Sequence, residues 1–317
     1  MRLPRWWRRP PPPELLIGAY PSVAELLRQV RRLELRTRRL VDSRFSGEYH
    51  SVFKGRGIEF AEVREYLPGD EVRTLDWNVT ARLGRPFVKQ YVEERELSVL
   101  LVVDVSGSQR WGTAGRLKLE LLSEVAATLA LSALRNNDRV GLVAFSDRIE
   151  RVIPPRKGRR HALRLLRELL ALRPASARTD AALALDYAVR ALRSRAVLFF
   201  FSDFALGEGW PRFEAALARA ALAHDVVAIL VADPAERELP DLGLLRLRDP
   251  ESGALLTLDT GSARGRASLR ALAAEESGRA AALFRRLGVD AVELRTDQPY
   301  ATALLGFFRR RERRLRR

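Results

Sequence analysis

The chain has 317 residues, 47% of them hydrophobic and 30% charged, a composition typical of a globular protein and not of a disordered one. It contains no cysteine, which excludes disulfides, zinc–thiolate centres and cysteine nucleophiles. No apolar run approaches the ~20 residues that cross a bilayer, and the basic start of the sequence is not followed by the apolar core of a secretory signal. We therefore expect a cytoplasmic protein with no transmembrane segment.

The formal net charge is +16, and most of the excess lies at the two ends of the chain. Residues 1–44 contain eleven arginines against four acidic residues, and residues 309–317 contain seven arginines against one. The middle of the sequence is nearly neutral, which argues against a basic groove across the fold. Contact of the arginine-rich ends with nucleic acid or a membrane surface stays an alternative, and we expect no specific nucleic-acid recognition.

Two segments precede the main domain that the sequence predicts. Residues 1–44 form a basic N-terminal segment, in which a capping box at Ser22–Glu25 opens an amphipathic helix that runs to about Leu40. Residues 45–96 form a β-rich module of glycine, arginine and aromatic residues, and the composition of Phe87–Val92 favours a strand. Acidic residues stand among the arginines of this module, which predicts ion pairs, with an interaction surface as the alternative.

From residue 97 to residue 308 strand and helix patterns alternate, which predicts an α/β domain with a doubly wound, mostly parallel sheet. The predicted strands are Val99–Asp104, Val140–Phe145, Ala196–Phe201, Val226–Val231 and Val289–Leu294. The predicted helices are 116–135, 160–171, 180–193, 210–222 and 266–287, with a last helix from about Pro299. We also expect an antiparallel edge strand at Arg148–Ile153 and a short hairpin at Leu244–Leu258. Residues 309–317 are expected to be a solvated, arginine-rich tail whose removal leaves folding unchanged.

The polar residues directly after the first of these strands carry the chemistry. Asp104, Ser106 and Ser108 follow the apolar run 97–103, at the point where a buried strand should end. In an open α/β sheet that point is the crevice in which ligands bind. Mg²⁺ prefers six oxygen ligands and keeps several waters, so a carboxylate and two hydroxyls form half of a magnesium site.

Two further oxygen ligands are predicted from other strands of the same sheet. Thr179 opens the helix 180–193, and Asp203 follows the strand Ala196–Phe201. Right-handed crossovers place both residues at the same sheet edge as Asp104. Each has a structural alternative, because Thr179 and Asp203 also suit helix caps and the two serines also suit backbone hydrogen bonds in a loop.

The five residues together resemble the metal-ion-dependent adhesion site of a von Willebrand factor A-like domain. More narrowly, the blocks Gly57–Phe60, Tyr66–Asp70 and Arg73–Trp77 resemble the bacterial domain-of-unknown-function family fifty-eight, over roughly residues 45–310. The resemblance implies a metal shell of Asp104, Ser106, Ser108, Thr179 and Asp203, in which the hydroxyls bind the ion directly and an aspartate acts through water. It also implies a MoxR-type AAA+ ATPase as partner. Many relatives carry N-terminal transmembrane helices, and this sequence departs from them in that respect.

The leading hypothesis is a non-enzymatic adaptor that binds an acidic residue of a partner protein through Mg²⁺, with Mn²⁺ or Ca²⁺ as alternative ions. The rival hypothesis is a magnesium-dependent phosphohydrolase, which would need an aspartate two residues after Asp104. Ser106 stands there instead, and a hydroxyl is a poor proton shuttle. The three histidines are scattered, and no phosphate-binding loop of Walker type occurs, so neither a histidine metal centre nor an intrinsic ATPase is expected.

Overall fold

The computed structural model describes residues 23–41, 45–53, 59–71, 73, 75–92 and 97–315. Its helices are α1 (Val23–Leu40), α2 (Ser46–Val52), α3 (Trp77–Leu83), α4 (Lys118–Arg135), α5 (Arg159–Ala171), α6 (Ala181–Ala191), α7 (Trp210–Ala223), α8 (Pro234–Arg237), α9 (Ala263–Leu287) and α10 (Tyr300–Leu315). Its strands are β1 (Glu59–Glu65), β2 (Phe87–Val92), β3 (Ser98–Asp104), β4 (Arg139–Phe145), β5 (Ile149–Arg156), β6 (Val197–Ser202), β7 (Asp225–Ala232), β8 (Leu244–Arg248), β9 (Leu255–Asp259) and β10 (Asp290–Arg295). The predicted basic segment before Val23, its Ser22 cap and the Gly57-Ile58 part of the family motif lie outside the described residues.

Six strands form one sheet in the order β10-β7-β6-β3-β4-β5. All neighbours are parallel except β4 and β5. This confirms the predicted doubly wound, mostly parallel sheet and the antiparallel edge strand. The edge strand continues to Arg156, beyond the predicted end at Ile153, because an edge position tolerates the missing N–H groups of Pro154 and Pro155.

Helices cover both faces of this sheet, which is why its central strands β3 and β6 are continuous apolar runs that end at a polar residue. Val99, Leu101 and Val103 of β3 pack into a core shared with α2, α4, α5 and α10. Leu100 and Val102 of the same strand face the opposite core, which is shared with α6, α7 and α9. Helix α1 lies against α4 and α5, as expected for a helix that packs on the domain by its apolar face.

Residues 45–53 differ from the sequence expectation, since they form helix α2 and not part of a β-rich module. Phe45, Tyr49 and Phe53 are buried against α10, where Phe308 meets the Phe45 and Phe53 rings edge to face with centroids 6.0 and 6.1 Å apart. Aromatic residues four positions apart share one helix face, so this spacing was a helical signal. The segment belongs to the core of the main domain.

The rest of the preceding module is a two-stranded antiparallel sheet of β1 and β2 with helix α3 beside it. Arg64 and Asp70 form the kind of ion pair that the sequence predicts, with both guanidinium nitrogens donating to the carboxylate at 2.7 and 2.8 Å. Asp76 caps α3 by accepting the N–H groups of Asn78 and Val79. The module is therefore held by local polar contacts.

The C-terminal arginines differ from the solvated tail expected after residue 308. Helix α10 continues to Leu315, and Arg311 within it is 8% exposed. Its guanidinium pairs with Asp225 and with Asp290, the first residues of β7 and β10. Because Arg311 neutralises two carboxylates at the amino ends of β7 and β10, removal of residues 309–317 should destabilise the fold.

None of the helices in the described part of the chain is both long enough and apolar enough to span a bilayer.

Candidate functional site

The predicted site residues gather at the carboxyl edge of the sheet, where the direction of strand addition reverses. Chain order runs from β3 outward to β4 and β5, and then returns to place β6 on the other side of β3. The loops after β3 and β6 diverge at this switch point and leave a crevice between them. Asp104 is the last residue of β3, Asp203 directly follows β6, and these two strands are neighbours in the sheet.

Asp104 is fully buried and held in one orientation by its neighbours. The Ser202 hydroxyl donates to one carboxylate oxygen at 2.8 Å, and the Ser106 backbone N–H donates to the other at 2.9 Å. Burial, reinforced by the charge of Asp203, raises the pKa of Asp104 to about 7. The fold therefore keeps a carboxyl group in place although its ionised form is poorly solvated there.

The two serines lie side by side, with their hydroxyl oxygens 3.1 Å apart. Ser106 is buried and Ser108 is partly exposed. The Gln109 side-chain amide donates to the Ser108 hydroxyl at 3.4 Å, while the Gln109 Oε1 atom is buried with no hydrogen-bond partner in the part of the chain that the structure describes. A buried oxygen without a partner is an atom that a cation or an ordered water would satisfy.

Asp203 is paired with a buried lysine that the sequence analysis did not single out. The Lys118 ammonium donates to the Asp203 carboxylate at 2.7 Å and also contacts Glu236. Burial alone would raise the pKa of Asp203, but the Lys118 charge and the hydrogen bonds that the carboxylate accepts together lower that pKa below its ordinary value. The two carboxylates likewise raise the pKa of Lys118 against the opposing effect of burial.

Thr179 lies in the loop before α6, and its hydroxyl donates to Glu251 at 2.8 Å. The cap of α6 is the neighbouring Asp180, whose carboxylate accepts the Leu183 N–H at 3.0 Å. The alternative in which Thr179 serves as the cap is therefore wrong. The cap expected of Asp203 is also absent from α7, which begins after Gly209 and has no side-chain cap.

Family comparison identifies the chain. Residues 62–279 match the family described as "Protein of unknown function DUF58". The chain belongs to this family. It is 34% identical to "Uncharacterized protein Rv1480" of Mycobacterium tuberculosis over 304 residues, which cover 95% of this chain and 94% of the relative. It is 30% identical to "Uncharacterized protein YeaD" of Bacillus subtilis over 109 residues, which cover 34% of this chain and 25% of that protein.

Solved structures show similarity to this DUF58 chain at the level of the fold alone. BatB from Bacteroides thetaiotaomicron aligns with a TM-score of 0.44 and 16% identity, covering 68% of this chain and 99% of BatB. A von Willebrand factor type A protein from Catenulispora acidiphila aligns with a TM-score of 0.34 and 15% identity, covering 58% of this chain and 43% of that protein.

Three acidic or basic residues of this DUF58 site were missed by sequence reasoning: Lys118, Glu236 and Glu251. Lys118 begins α4, Glu236 stands in α8, and Glu251 lies at the tip of the β8–β9 hairpin. The scarcity of lysine, four against 52 arginines, was the one local signal that could have drawn attention to Lys118. The two glutamates reach the site only through contacts with residues 72 or more positions away.

The donor set of the DUF58 site fits a hard divalent cation. Within the described residues no cluster of three or more His, Cys, Asp or Glu side chains forms a metal-binding group, so a cation would depend on two aspartates and on hydroxyl oxygens. One ammonium group, Lys118, stands among four carboxylates, which are Asp104, Asp203, Glu236 and Glu251. This excess of negative charge and of oxygen atoms suits Mg²⁺, Mn²⁺ or Ca²⁺.

Proposed function

We propose that this chain is a non-enzymatic adaptor that recognises an acidic residue of a partner protein through a divalent cation, held by Asp104, Ser106, Ser108, Thr179 and Asp203. In a shell with only two carboxylates and three hydroxyls, a bound cation would keep a position for one carboxylate oxygen from outside. The residues of the chain orient this shell, since Ser202 and the loop backbone fix Asp104 while Lys118 fixes Asp203.

The observation that carries the proposal is the surrounding of the Ser108 hydroxyl. Its oxygen is 3.1 Å from the Ser106 oxygen and accepts the Gln109 side-chain amide at 3.4 Å. The Ser108 hydroxyl also lies near the Asp203 and Glu251 carboxylates, where it lowers the pKa of each against the opposing effect of burial. Several oxygen atoms therefore lie around a hydroxyl that has a single proton to donate. A small cation satisfies several oxygens at once, and this supports a metal at that point.

The same geometry gives no support to the phosphohydrolase alternative. That reaction needs a carboxyl group two residues after the strand-end aspartate to move a proton. Ser106 occupies that position and is buried. Its backbone N–H donates to the Asp104 carboxylate, and its hydroxyl lies beside that of Ser108. A serine hydroxyl does not ionise near neutral pH, so it is a poor general acid or base for that reaction.

We further propose a MoxR-type AAA+ ATPase as the partner, acting with this chain on the assembly or maturation of client proteins in the cytoplasm. The partner rests on the family resemblance, and the location rests on the sequence, which carries no cysteine. The arginines near the C-terminus are poor candidates for phosphate binding, because Arg309, Arg311 and Arg314 already pair with carboxylates of the domain. Recognition by protein contact is therefore favoured over nucleic-acid binding.

Calorimetric titration with Mg²⁺ tests the cation. Asp104→Ala and Ser106→Ala should each weaken Mg²⁺ binding by about 10–100-fold while the thermal transition is retained. Ser132→Ala is the matched control, since Ser132 is a buried serine of α4 whose hydroxyl donates to the Thr128 carbonyl within the same helix. A wild-type chain that binds no divalent ion at millimolar concentration would contradict the proposal.

Capture of the purified MoxR-type ATPase tests the partner. Wild type and Ser132→Ala should retain it in Mg²⁺ and release it in chelator, while Asp104→Ala should fail to retain it in either buffer. Full retention by Asp104→Ala would show that the ATPase binds elsewhere. Phosphatase turnover by wild type that is lost in Asp104→Ala would instead favour the enzyme alternative.

A further inference from the structure

The tip of the β8–β9 hairpin rests directly on the candidate metal site. Gly107, between the two serines, lies so close to Pro250 of the hairpin that a Cβ atom at position 107 would collide with the Pro250 carbonyl. The Gly107 N–H donates at 2.8 Å to the carbonyl of Ala177, two residues before Thr179. The hairpin tip, the serine loop and the Thr179 loop therefore meet at one point.

Glu251 is the residue that the hairpin inserts at this point. Its carboxylate accepts the Thr179 hydroxyl at 2.8 Å. Burial raises the pKa of Glu251, and the Thr179 and Ser108 hydroxyls oppose that shift. From residue 248 to residue 256, Glu251 alone is not exposed. A glutamate at an exposed turn normally extends into water. Here it turns inward and accepts a hydrogen bond from Thr179, one of the three hydroxyls that are proposed to hold the cation.

The turn that presents Glu251 is ordered by its own hydrogen bonds. The Asp249 carboxylate accepts the N–H groups of Glu251 at 3.1 Å and Ser252 at 3.3 Å. The Asp249 N–H donates to the Ala254 carbonyl at 2.8 Å, and Gly253 supplies the positive φ, +73°, that closes the turn. Glu251 is thus directed toward the site by the local chain and does not reach it by side-chain flexibility alone.

The strands behind this turn are only loosely attached to the domain. Leu244, Leu255 and Leu256 are 73%, 52% and 60% exposed, so the hairpin buries little apolar surface along its length. It is fixed at its base, where Thr260 is buried and bonds to Gly243 and Leu242. Segments with few buried apolar contacts open at a small free-energy cost. The tip can therefore leave the site while the base stays in place.

Resting on the proposed function, we infer that Glu251 is an internal ligand of the site: its carboxylate holds the place that the acidic residue of a partner takes, and the hairpin tip must withdraw before the partner binds. The hairpin thereby controls access of the partner to the site, a regulatory role that the five metal-shell residues do not have. It also specifies the partner's chemistry, since the incoming group must replace a glutamate carboxylate presented by a turn.

The test counts the exchangeable waters on Mn²⁺, through the relaxation rate of water protons, in wild type, Glu251→Gln and Glu238→Gln. Glu238 is the matched control. It is an exposed glutamate between α8 and β8, and its carboxylate pairs with Arg270. Glu251→Gln should carry one more exchangeable water than the other two chains and bind Mn²⁺ about 10-fold more weakly. Acetate should displace that water at a lower concentration in Glu251→Gln than in wild type.

The outcomes separate the inference from the proposed function. Equal water counts and equal acetate responses in the three chains, all with Mn²⁺ bound, would overturn the internal ligand and leave the metal site intact. Failure of every chain to bind Mn²⁺ would overturn the metal site and the internal ligand with it. Thermal melting checks the fold of Glu251→Gln, which changes one atom in a half-buried turn residue.

Discussion

Two groups of charged residues lie at opposite ends of the same sheet, and they are built differently. The amino-edge cluster consists of Asp225, Asp290, Arg311 and Arg314. The carboxyl-edge cluster consists of Asp104, Lys118, Asp203, Glu236 and Glu251. Each cluster contains buried charged groups, Arg311 in the first and Asp104 and Lys118 in the second, so in both the cost of burying charge must be offset by partners.

The amino-edge cluster is balanced by the chain itself. Two guanidinium groups face two carboxylates, Arg311 and Arg314 each reach Asp290 at 2.6 Å, and the Arg311 guanidinium also stands 4.6 Å above the Phe53 ring. The carboxyl-edge cluster has four carboxylates and one ammonium group. Under the proposed function, the surplus carboxylates at the carboxyl edge are the place for a cation, whereas the charges at the amino edge are paired within the chain.

The largest expected effect is the loss of the balancing charge at the amino edge. Arg311→Met leaves Asp225 and Asp290 without their shared partner, and we expect the free energy of unfolding to fall by about 3–5 kcal/mol, with or without Mg²⁺. Denaturant titration measures it. Arg309→Met is the control, since Arg309 is 58% exposed and its pair with Glu48 should contribute at most ~1 kcal/mol. Equal losses of unfolding free energy in Arg311→Met and Arg309→Met would show that the buried ion pair contributes no more than the surface pair.

The corresponding change at the carboxyl edge is Lys118→Met. The free energy of unfolding should fall by about 3 kcal/mol in chelator, which is at the low end of the range for a broken buried pair. The loss is limited because burial already raises the pKa of Asp104 and Glu236, so that these acids can take up protons. Mg²⁺ should restore part of the stability, since a ligand that binds only the folded state stabilises it. A loss that Mg²⁺ leaves unchanged would show that the surplus carboxylates do not attract a cation.

A smaller effect is expected from Ser202→Ala, which removes the hydroxyl that orients Asp104 and leaves every proposed metal ligand in place. Mg²⁺ affinity should fall about 10-fold, as is typical when a partner of a metal ligand is lost. Ser132→Ala again serves as the control in the same titration. Unchanged affinity in Ser202→Ala would mean that Asp104 keeps its orientation through the Ser106 N–H alone.

The smallest effect is expected at an exposed pair that belongs to neither cluster. Arg286 of α9 pairs with Glu214 of α7, and the two side chains are 60% and 46% exposed. Arg286→Met should change the free energy of unfolding by ~0.2–1 kcal/mol, and 1 M salt should abolish the difference. A larger loss of unfolding free energy that 1 M salt does not reduce would contradict the comparison, because it would mean that an exposed ion pair contributes as much as a buried one.

The fold of the main domain was predictable because its strands are apolar runs of the right length between periodic helices. The sequence predicts all six strands of the large sheet, the β8–β9 hairpin and the helices around them with small errors at their ends. Helix α2 was missed because it has only seven residues and lies in a stretch rich in glycine and aromatic residues. The depth of Arg311 was missed because a run of arginines resembles a solvated tail, and its two partners lie 86 and 21 residues away.

The candidate site was only half visible in the sequence. Asp104, Ser106 and Ser108 were recognisable as a local motif at a strand end, and topology placed Thr179 and Asp203 near them. Their role as metal ligands stays a prediction. Neither Lys118 nor Glu251 stands in a sequence motif. Lys118 reaches the site from helix α4 and Glu251 from the β8–β9 hairpin, and the positions of these two elements depend on the finished fold.

The sequence separation within the carboxyl-edge cluster has a consequence for folding. Lys118 meets partners 85 and 118 residues further along the chain, and Thr179 meets Glu251 across 72 residues. Such contacts form only after long loops have closed, which costs chain entropy before any contact stabilises them. A nascent chain that ends before Glu251 cannot assemble the cluster. A partner that recognises this edge therefore recognises a chain that has folded at least as far as the β8–β9 hairpin.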